Sequence, residues 1–155
     1  HDKLLQIRWL PKENYHLTLA FLGYVESVLI SSLQLKLEQN LSSKKTVPFR
    51  FSEITPFPFS GTPKIAAAML EHSDELMQLH HNTAKCVRAF GISLERRRFK
   101  PHVTLGRLKY RSRKSIAFQP QQIFLEGVSE KVVIFQSDLT QKGAVYNSIG
   151  EISLM

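Results

Sequence analysis

The chain has 155 residues, 43% of them hydrophobic, and carries a formal charge of +8 from 21 basic and 13 acidic side chains. That length supports one compact core, its apolar runs fall short of the roughly 20 residues a membrane helix needs, and the opening "HDKLLQIRW" lacks the charged-then-apolar layout of a secretion signal. The single cysteine, Cys86, excludes disulfide scaffolds and cysteine-built zinc sites, while the positive balance favours a polyanionic partner.

In chain order, "KLLQIRWL" reads as the end of an amphipathic helix closed by Pro11. Residues 15–22 are apolar or alternating and predict a strand that ends at Gly23. Ser27 is placed to cap a helix reaching about Leu41, in which Ile30, Leu33, Leu37 and Leu41 recur at helical spacing. Phe49 and Phe51 alternate with Arg50 and Ser52, so 47–54 predicts a half-exposed strand. "TPFPFSGTP" reads as a turn-rich connection, and 64–70 as a strand with side chains small enough to lie under another layer.

A second helix is expected from Ser73. Asp74 and Glu75 sit at its positive end, Leu76, Leu79, Ala84, Val87 and Phe90 line its inner face, and Gly91 stops it. Cys86 falls within this pattern as a small apolar side chain, which suits a reducing cytoplasm. Strands are expected at 92–98 and 102–109, then a basic, mobile loop over 111–120. The last strands are 122–138, with a break near Gly127, and 144–154. This order predicts an α+β fold with antiparallel sheets and helices on one side.

Two stretches interrupt the apolar pattern in the same way. "NYHLTLAFLG" and "KPHVTLGRL" each contain His-aliphatic-Thr-Leu, and from His16 to His102 is 102 − 16 = 86 positions, as a duplicated half-chain would give. Alternate strand residues share a face, so His16 and Thr18 stand together about 7 Å apart, backed by Leu17 and Leu19. His102 and Thr104 repeat this, backed by Val103 and Leu105. If an approximate twofold relates the strands, two imidazoles and two hydroxyls converge on one cleft.

Breaking a phosphodiester requires one group to take a proton from the nucleophile and another to give one to the leaving oxygen. Histidine, with an ordinary pKa of about 6.5, fills either role near neutrality. Hydroxyls can donate to nonbridging oxygens as charge grows on phosphorus. This scheme demands no metal and no cofactor. Arg107 lies on the opposite parity to Thr104 and reaches a phosphate only if the strand twists or bulges after Gly106, although its planar fork suits the task. A lone His-x-Thr is ordinarily a hydrogen-bonded core histidine beside a β-forming threonine, and the second copy is what makes that reading improbable.

Other catalytic patterns are missing. No His-Glu-x-x-His helix or Gly-x-Ser-x-Gly elbow occurs, and "GTPK" lacks phosphate-loop spacing. His80 and His81, adjacent on a helix, point about 100° apart and cannot readily share a metal. From Arg96 to Lys114 the chain has nine basic residues and no acid. That run is either a solvated loop and strand edge or a polyanion surface around the second motif.

At the two motifs the chain resembles the 2H phosphoesterase superfamily, and "NYHLTLAFLG" with "FKPHVTLGRL" looks most like its RNA 2′,3′-cyclic phosphodiesterase branch, also called 2′-5′ RNA ligases. "VSEKVVIFQSDLTQKGAVYNSIGEISL" resembles that branch's closing hairpin, with its Ser-x-Leu and later Tyr. The resemblance implies one two-lobed α+β domain over residues 1–155, with two antiparallel sheets, helices outside and a pseudo-twofold central groove. It also implies opening of an RNA 2′,3′-cyclic phosphate to a 2′-phosphate without metal, with His102 as general base, His16 as general acid, and Thr18 and Thr104 binding phosphate. The family's first strand, of the type Arg-Leu-Phe-x-Ala, has no counterpart before His16, and the lack of a starting Met suggests missing residues. The expected partner is RNA with a cyclic phosphate end, tRNA fragments among the candidates, acted on by a cytoplasmic monomer without a membrane. A rival reading is a noncatalytic RNA-binding module whose basic stretch holds RNA while Phe99 or the "PFPF" rings stack on bases; Phe99 is otherwise a packing residue.

Overall fold

The computed structural model describes residues 5–110 and 118–155. The strands are β1 (Leu5–Trp9), β2 (Val47–Phe57), β3 (Ile65–Leu70), β4 (His102–Tyr110), β5 (Gln121–Ser129), β6 (Lys131–Thr140) and β7 (Gly143–Ser153); the helices are α1 (Ser27–Leu41) and α2 (Asp74–Ala89). The expected α+β class and antiparallel sheets are found, as a five-stranded sheet in the order β1-β4-β3-β2-β5 and a two-stranded sheet of β6 and β7. The described chain separates into two compact units.

The first unit takes in the chain up to Thr18, Arg50–Glu71 and Phe99–Glu126. Its centre is β3, where Ala66, Ala67, Ala68, Met69 and Leu70 are all buried. The three alanines leave room for cover on both faces, which is why so short a strand can run inside the sheet. β4 pairs antiparallel with β3 on one side and with β1 on the other.

The second unit takes in Leu19–Phe49, His72–Arg98 and Gly127–Met155. Here α1 packs on α2 and β7. Leu33, Leu37 and Leu41 of α1 are buried with Leu76, Leu79, Ala84, Cys86 and Val87 of α2 and Ile152 of β7. Ser73 caps α2 by accepting a hydrogen bond from the Leu76 amide at 3.1 Å, and Gly91, at φ 76°, closes the helix in the left-handed conformation glycine tolerates. β6 and β7 form the closing hairpin, with Ser137 opposite Tyr146.

Several sequence expectations are corrected. Residues 5–9 form β1 instead of a helix end, because Leu5, Ile7 and Trp9 alternate with Gln6 and Arg8 at the strand period of two. In 15–22 only Leu17 makes a β-bridge, so no full strand forms. Residues 92–98 join neither sheet; Arg96, Arg97 and Arg98 are exposed in succession, where like charges oppose close pairing. β2 continues through Pro56 to Phe57, into what reads as a connection. The break between the late strands falls at Glu130, not Gly127. A β-carbon on Gly127 would lie 2.7 Å from the Phe49 ring, so this glycine admits an aromatic neighbour within a continuous strand. Helix α1 begins at Ser27 itself, with Glu26 as the preceding cap residue. Of the predicted basic loop, residues 111–117, including Arg111, Arg113 and Lys114, lie outside the described residues.

Candidate active site

The two His-x-Thr segments meet because the β1 edge is interrupted at one point. β1 pairs with β4 as far as Trp9 opposite Gly106, and the Leu10 amide donates to the Leu105 carbonyl at 2.8 Å. Pro11 has no amide hydrogen to continue the ladder, and a single 3-10 turn over Lys12–Asn14 carries the chain away. It returns at Leu17, which bridges antiparallel to Val103. The excursion is therefore inserted opposite Thr104.

That one bridge orders the cluster. Antiparallel register about Leu17 and Val103 sets His16 towards Thr104 and Thr18 towards His102, with an approximate local twofold through the bridge. All four polar residues lie on the face opposite to Leu17 and Val103, and each is half-buried. Residues directly across such a pair have β-carbons about 5 Å apart, and the diagonal His16 and His102 about 7–8 Å. Both motifs belong to the same compact unit, so the twofold expected from the sequence is a local relation between neighbouring segments.

The hydrogen bonds repeat the symmetry. His16 Nδ1 donates to the Asn14 carbonyl at 2.7 Å, and His102 Nδ1 donates to the Lys100 carbonyl at 2.7 Å. A carbonyl can only accept, so each Nδ1 carries its proton, and in the neutral ring the lone pair is on Nε2. Two imidazoles are thus fixed in the same tautomer by carbonyls two residues upstream.

Arg107 returns to this face through an irregularity in the ladder. β3 pairs Ala67 with Thr104, then Ala66 with Gly106 and Ile65 with Arg107, so β4 contains one extra residue between Thr104 and Gly106. The bulge reverses the simple parity and brings Arg107 to the side of Thr104. It lies before Gly106, where the sequence required one after it. On the neighbouring strand Arg8 is directly opposite Arg107.

Aromatic side chains flank His102. The Phe57 ring lies 4.5 Å from the His102 ring, centroid to centroid, and meets Phe59 edge-on at 5.3 Å. Lys100 Nζ is 5.4 Å from the centre of the Phe59 ring. Lys100 thus contributes a carbonyl to His102 and an ammonium to the rings packed beside it. Phe99 is half-buried just before it, in the segment leading into β4.

Sequence reasoning missed Phe57 as a neighbour of His102 and Arg8 as a neighbour of Arg107. The second was detectable: the alternation in "LQIRW" sets Arg8 apart from Ile7 and Trp9, but a helical reading of that stretch hides it. Among the described residues, no group of three or more His, Cys, Asp or Glu side chains is arranged to hold a metal. A shallow depression bordered by Val128, Ser129, Glu130, Lys131 and Ser153 includes no motif residue.

Comparison with known proteins defines the class. Fold and sequence put the chain among the 2H phosphoesterases. More narrowly, residues 6–122 match the model of the 2′-5′ RNA ligase superfamily, and the chain belongs to that family. An RNA 2′,3′-cyclic phosphodiesterase of Thermotoga maritima is 30% identical over 149 residues, covering 92% of this chain and 77% of the relative. A protein of the same name from Archaeoglobus fulgidus is 28% identical over 149 residues, 92% of this chain and 81% of the relative. Among solved structures, TT0787 of Thermus thermophilus superposes with a TM-score of 0.81 at 25% identity, over 95% of this chain and 81% of that one. E. coli LigT complexed with 3′-AMP superposes at 0.78 and 19% identity, over 96% and 82%, a likeness of fold.

Proposed function

We propose that this protein hydrolyses the 2′,3′-cyclic phosphate at an RNA end to a 2′-phosphomonoester, using His16 and His102 as an acid-base pair. The observation that carries the reading is the Leu17–Val103 bridge, which joins the two His-x-Thr-Leu motifs with both imidazoles held in the same tautomer. The names of the relatives from Thermotoga and Archaeoglobus supply the substrate class.

In the proposed reaction, Nε2 of His102 removes a proton from water as the water oxygen forms a bond to phosphorus. The bond from phosphorus to the 3′ oxygen breaks, and His16, protonated at both nitrogens, gives the Nε2 proton to that oxygen. Thr18 and Thr104 donate hydrogen bonds to the nonbridging oxygens, where negative charge accumulates. Arg107, returned to this face by the bulge, adds a planar cation for phosphate. The scheme uses no metal, and the reduced, buried Cys86 accords with a cytoplasmic setting, the protein acting as a monomer. Among the described residues no helix is long and apolar enough to cross a membrane. The family name favours a second use of the same site: with a 5′ hydroxyl in place of water, the same course makes a 2′-5′ linkage as the bond to the 3′ oxygen breaks, and its reverse cleaves one.

The test is incubation with EDTA and an RNA bearing a 2′,3′-cyclic end, tRNA fragments included, followed by identification of the phosphomonoester. A 2′ product, lost in His16→Ala and in His102→Ala with folding intact, is expected. No product, or full activity in both variants, overturns the reading. A 3′-thio leaving group, which needs little protonation, should restore much of the rate to His16→Ala and little to His102→Ala; the opposite pattern exchanges the two roles.

A further inference from the structure

We infer that the RNA strand upstream of the reacting end runs along β4, its backbone phosphates held first by Arg8 with Arg107 and then by Lys109. This assigns a polynucleotide subsite, and it rests on the proposed function. His102, Thr104, Arg107 and Lys109 share one face of β4 once the bulge is counted, and Arg8 joins them from β1. Arg8, Arg107 and Lys109 are all exposed.

The cations follow one another along the strand. From Thr104 to Arg107 is two ladder steps, about 7 Å, and from Arg107 to Lys109 about 7 Å more. One cationic station per nucleotide suits an extended single strand whose phosphates follow a groove. Two guanidinium forks are also well shaped for one phosphate.

The direction is set by charge on the same face. At the His102 end the register row runs through Met69 to Glu53, a half-buried carboxylate. Beyond Thr104 the same face of β4 carries Arg107 and Lys109 and no acidic residue. A polyanion is therefore repelled at the Glu53 end and drawn along the Arg107 end.

The experiment compares kcat/KM for a nucleoside 2′,3′-cyclic phosphate with that for oligonucleotides carrying one or two phosphodiesters upstream of the cyclic end. Arg8→Gln is expected to lower the oligonucleotide-to-mononucleotide ratio by about tenfold for both oligonucleotides. Lys109→Gln is expected to lower it only for the longer one. Each change should also reduce the slope of log(kcat/KM) against log salt by about 0.7 for oligonucleotides. Lys131→Gln removes the same charge from β6, where Lys131 makes an exposed ion pair with Glu151 of β7, and should leave the ratio alone. Urea midpoints confirm that the variants are folded.

If Arg8→Gln and Lys131→Gln give the same ratio, or if the parent enzyme gains nothing from upstream phosphodiesters, the subsite is overturned while hydrolysis stands. If the parent opens neither substrate, the proposed function fails, and fluorescence anisotropy with a fluorescein-labelled oligonucleotide decides the subsite alone. Affinity unchanged by Arg8→Gln at low salt would then overturn it.

Discussion

Replacing Phe57 with alanine separates the packing of the site from its chemistry. The ring is half-buried at the end of β2, 4.5 Å from the His102 ring and 5.3 Å from the Phe59 ring. A fully buried Phe→Ala change costs about 3–5 kcal/mol, and half burial reduces this to about 2 kcal/mol. Two ring pairs at about 1 kcal/mol each lead to the same figure. The effect on rate comes from position. His102 retains its bond to the Lys100 carbonyl, but the ring that limits its tilt is gone, and displacement approaching 1 Å lowers turnover by up to about a hundredfold.

The assay pairs a urea titration with kcat on a cyclic nucleotide phosphate. Phe57→Ala should lose about 2 kcal/mol and one to two decades of kcat with little change in KM. Phe57→Tyr, which keeps the ring, should recover most of the kcat. A variant that loses the stability but keeps the kcat would refute the positioning argument, for the ring would then be packing alone. Equal losses in Phe57→Tyr and Phe57→Ala would also refute it, since the ring itself would not matter.

Gly106→Ala tests the closeness of β1 to β4. An added methyl would lie 2.8 Å from Ile7 Cγ2 and 2.9 Å from the Arg8 carbonyl oxygen, so β1 must move, with an expected loss of about 1–3 kcal/mol and faster hydrogen exchange at the Leu10 amide. Leu33, 0% exposed in α1, should lose about 2–5 kcal/mol when changed to alanine, measured by urea, with activity per folded molecule retained. His80 has its pKa lowered from 6.5 by burial first, then by the positive charge of Arg88 and by His81. The folded state therefore holds fewer protons than the unfolded one just below that value; stability is full above pH 6.5 and declines as the pH falls below it. His80→Gln should flatten that decline in urea midpoints taken on either side of pH 6.5, and an unchanged slope would count against the lowered pKa.

What was legible in the sequence followed from periodicity strong enough to survive tertiary context. Helix α2 announced itself through Ser73, Asp74, Glu75 and Gly91, each acting at a helix end, and β3 through its run of alanines. Where reading failed, long-range contacts had overridden local signals. The stretch from Leu5 to Trp9 is short, fits both periods, and is decided by the β4 edge beside it. Residues 92–98 look like a strand by composition but join neither sheet. Gly127 looked like a break because its neighbour across the sheet, Phe49, is remote in sequence. The motif residues could be found from their repetition, but their arrangement could not. No local signal says that a detour from Pro11 to His16 is inserted opposite Thr104, or that β4 bulges before Gly106 and turns Arg107 to the same face.

The bulge and the detour have complementary consequences for a symmetric pair of motifs. About the Leu17–Val103 bridge the imidazoles are equivalent in tautomer and in hydrogen-bond partner, so the motifs alone give no reason for one histidine to act as acid and the other as base. Their surroundings do differ. Phe57 lies against His102, the row from His102 leads to Glu53, and Arg107 and Lys109 follow Thr104, the residue set towards His16. Under the proposed function, a strand held along those cations presents its terminal ribose in one sense, and that sense selects the imidazole that the 3′ oxygen meets. On this argument the division of labour between His16 and His102 is set by the direction in which the RNA enters, and neutralising Arg8 and Lys109 together should weaken the preference of the site for one orientation as well as its hold on the strand.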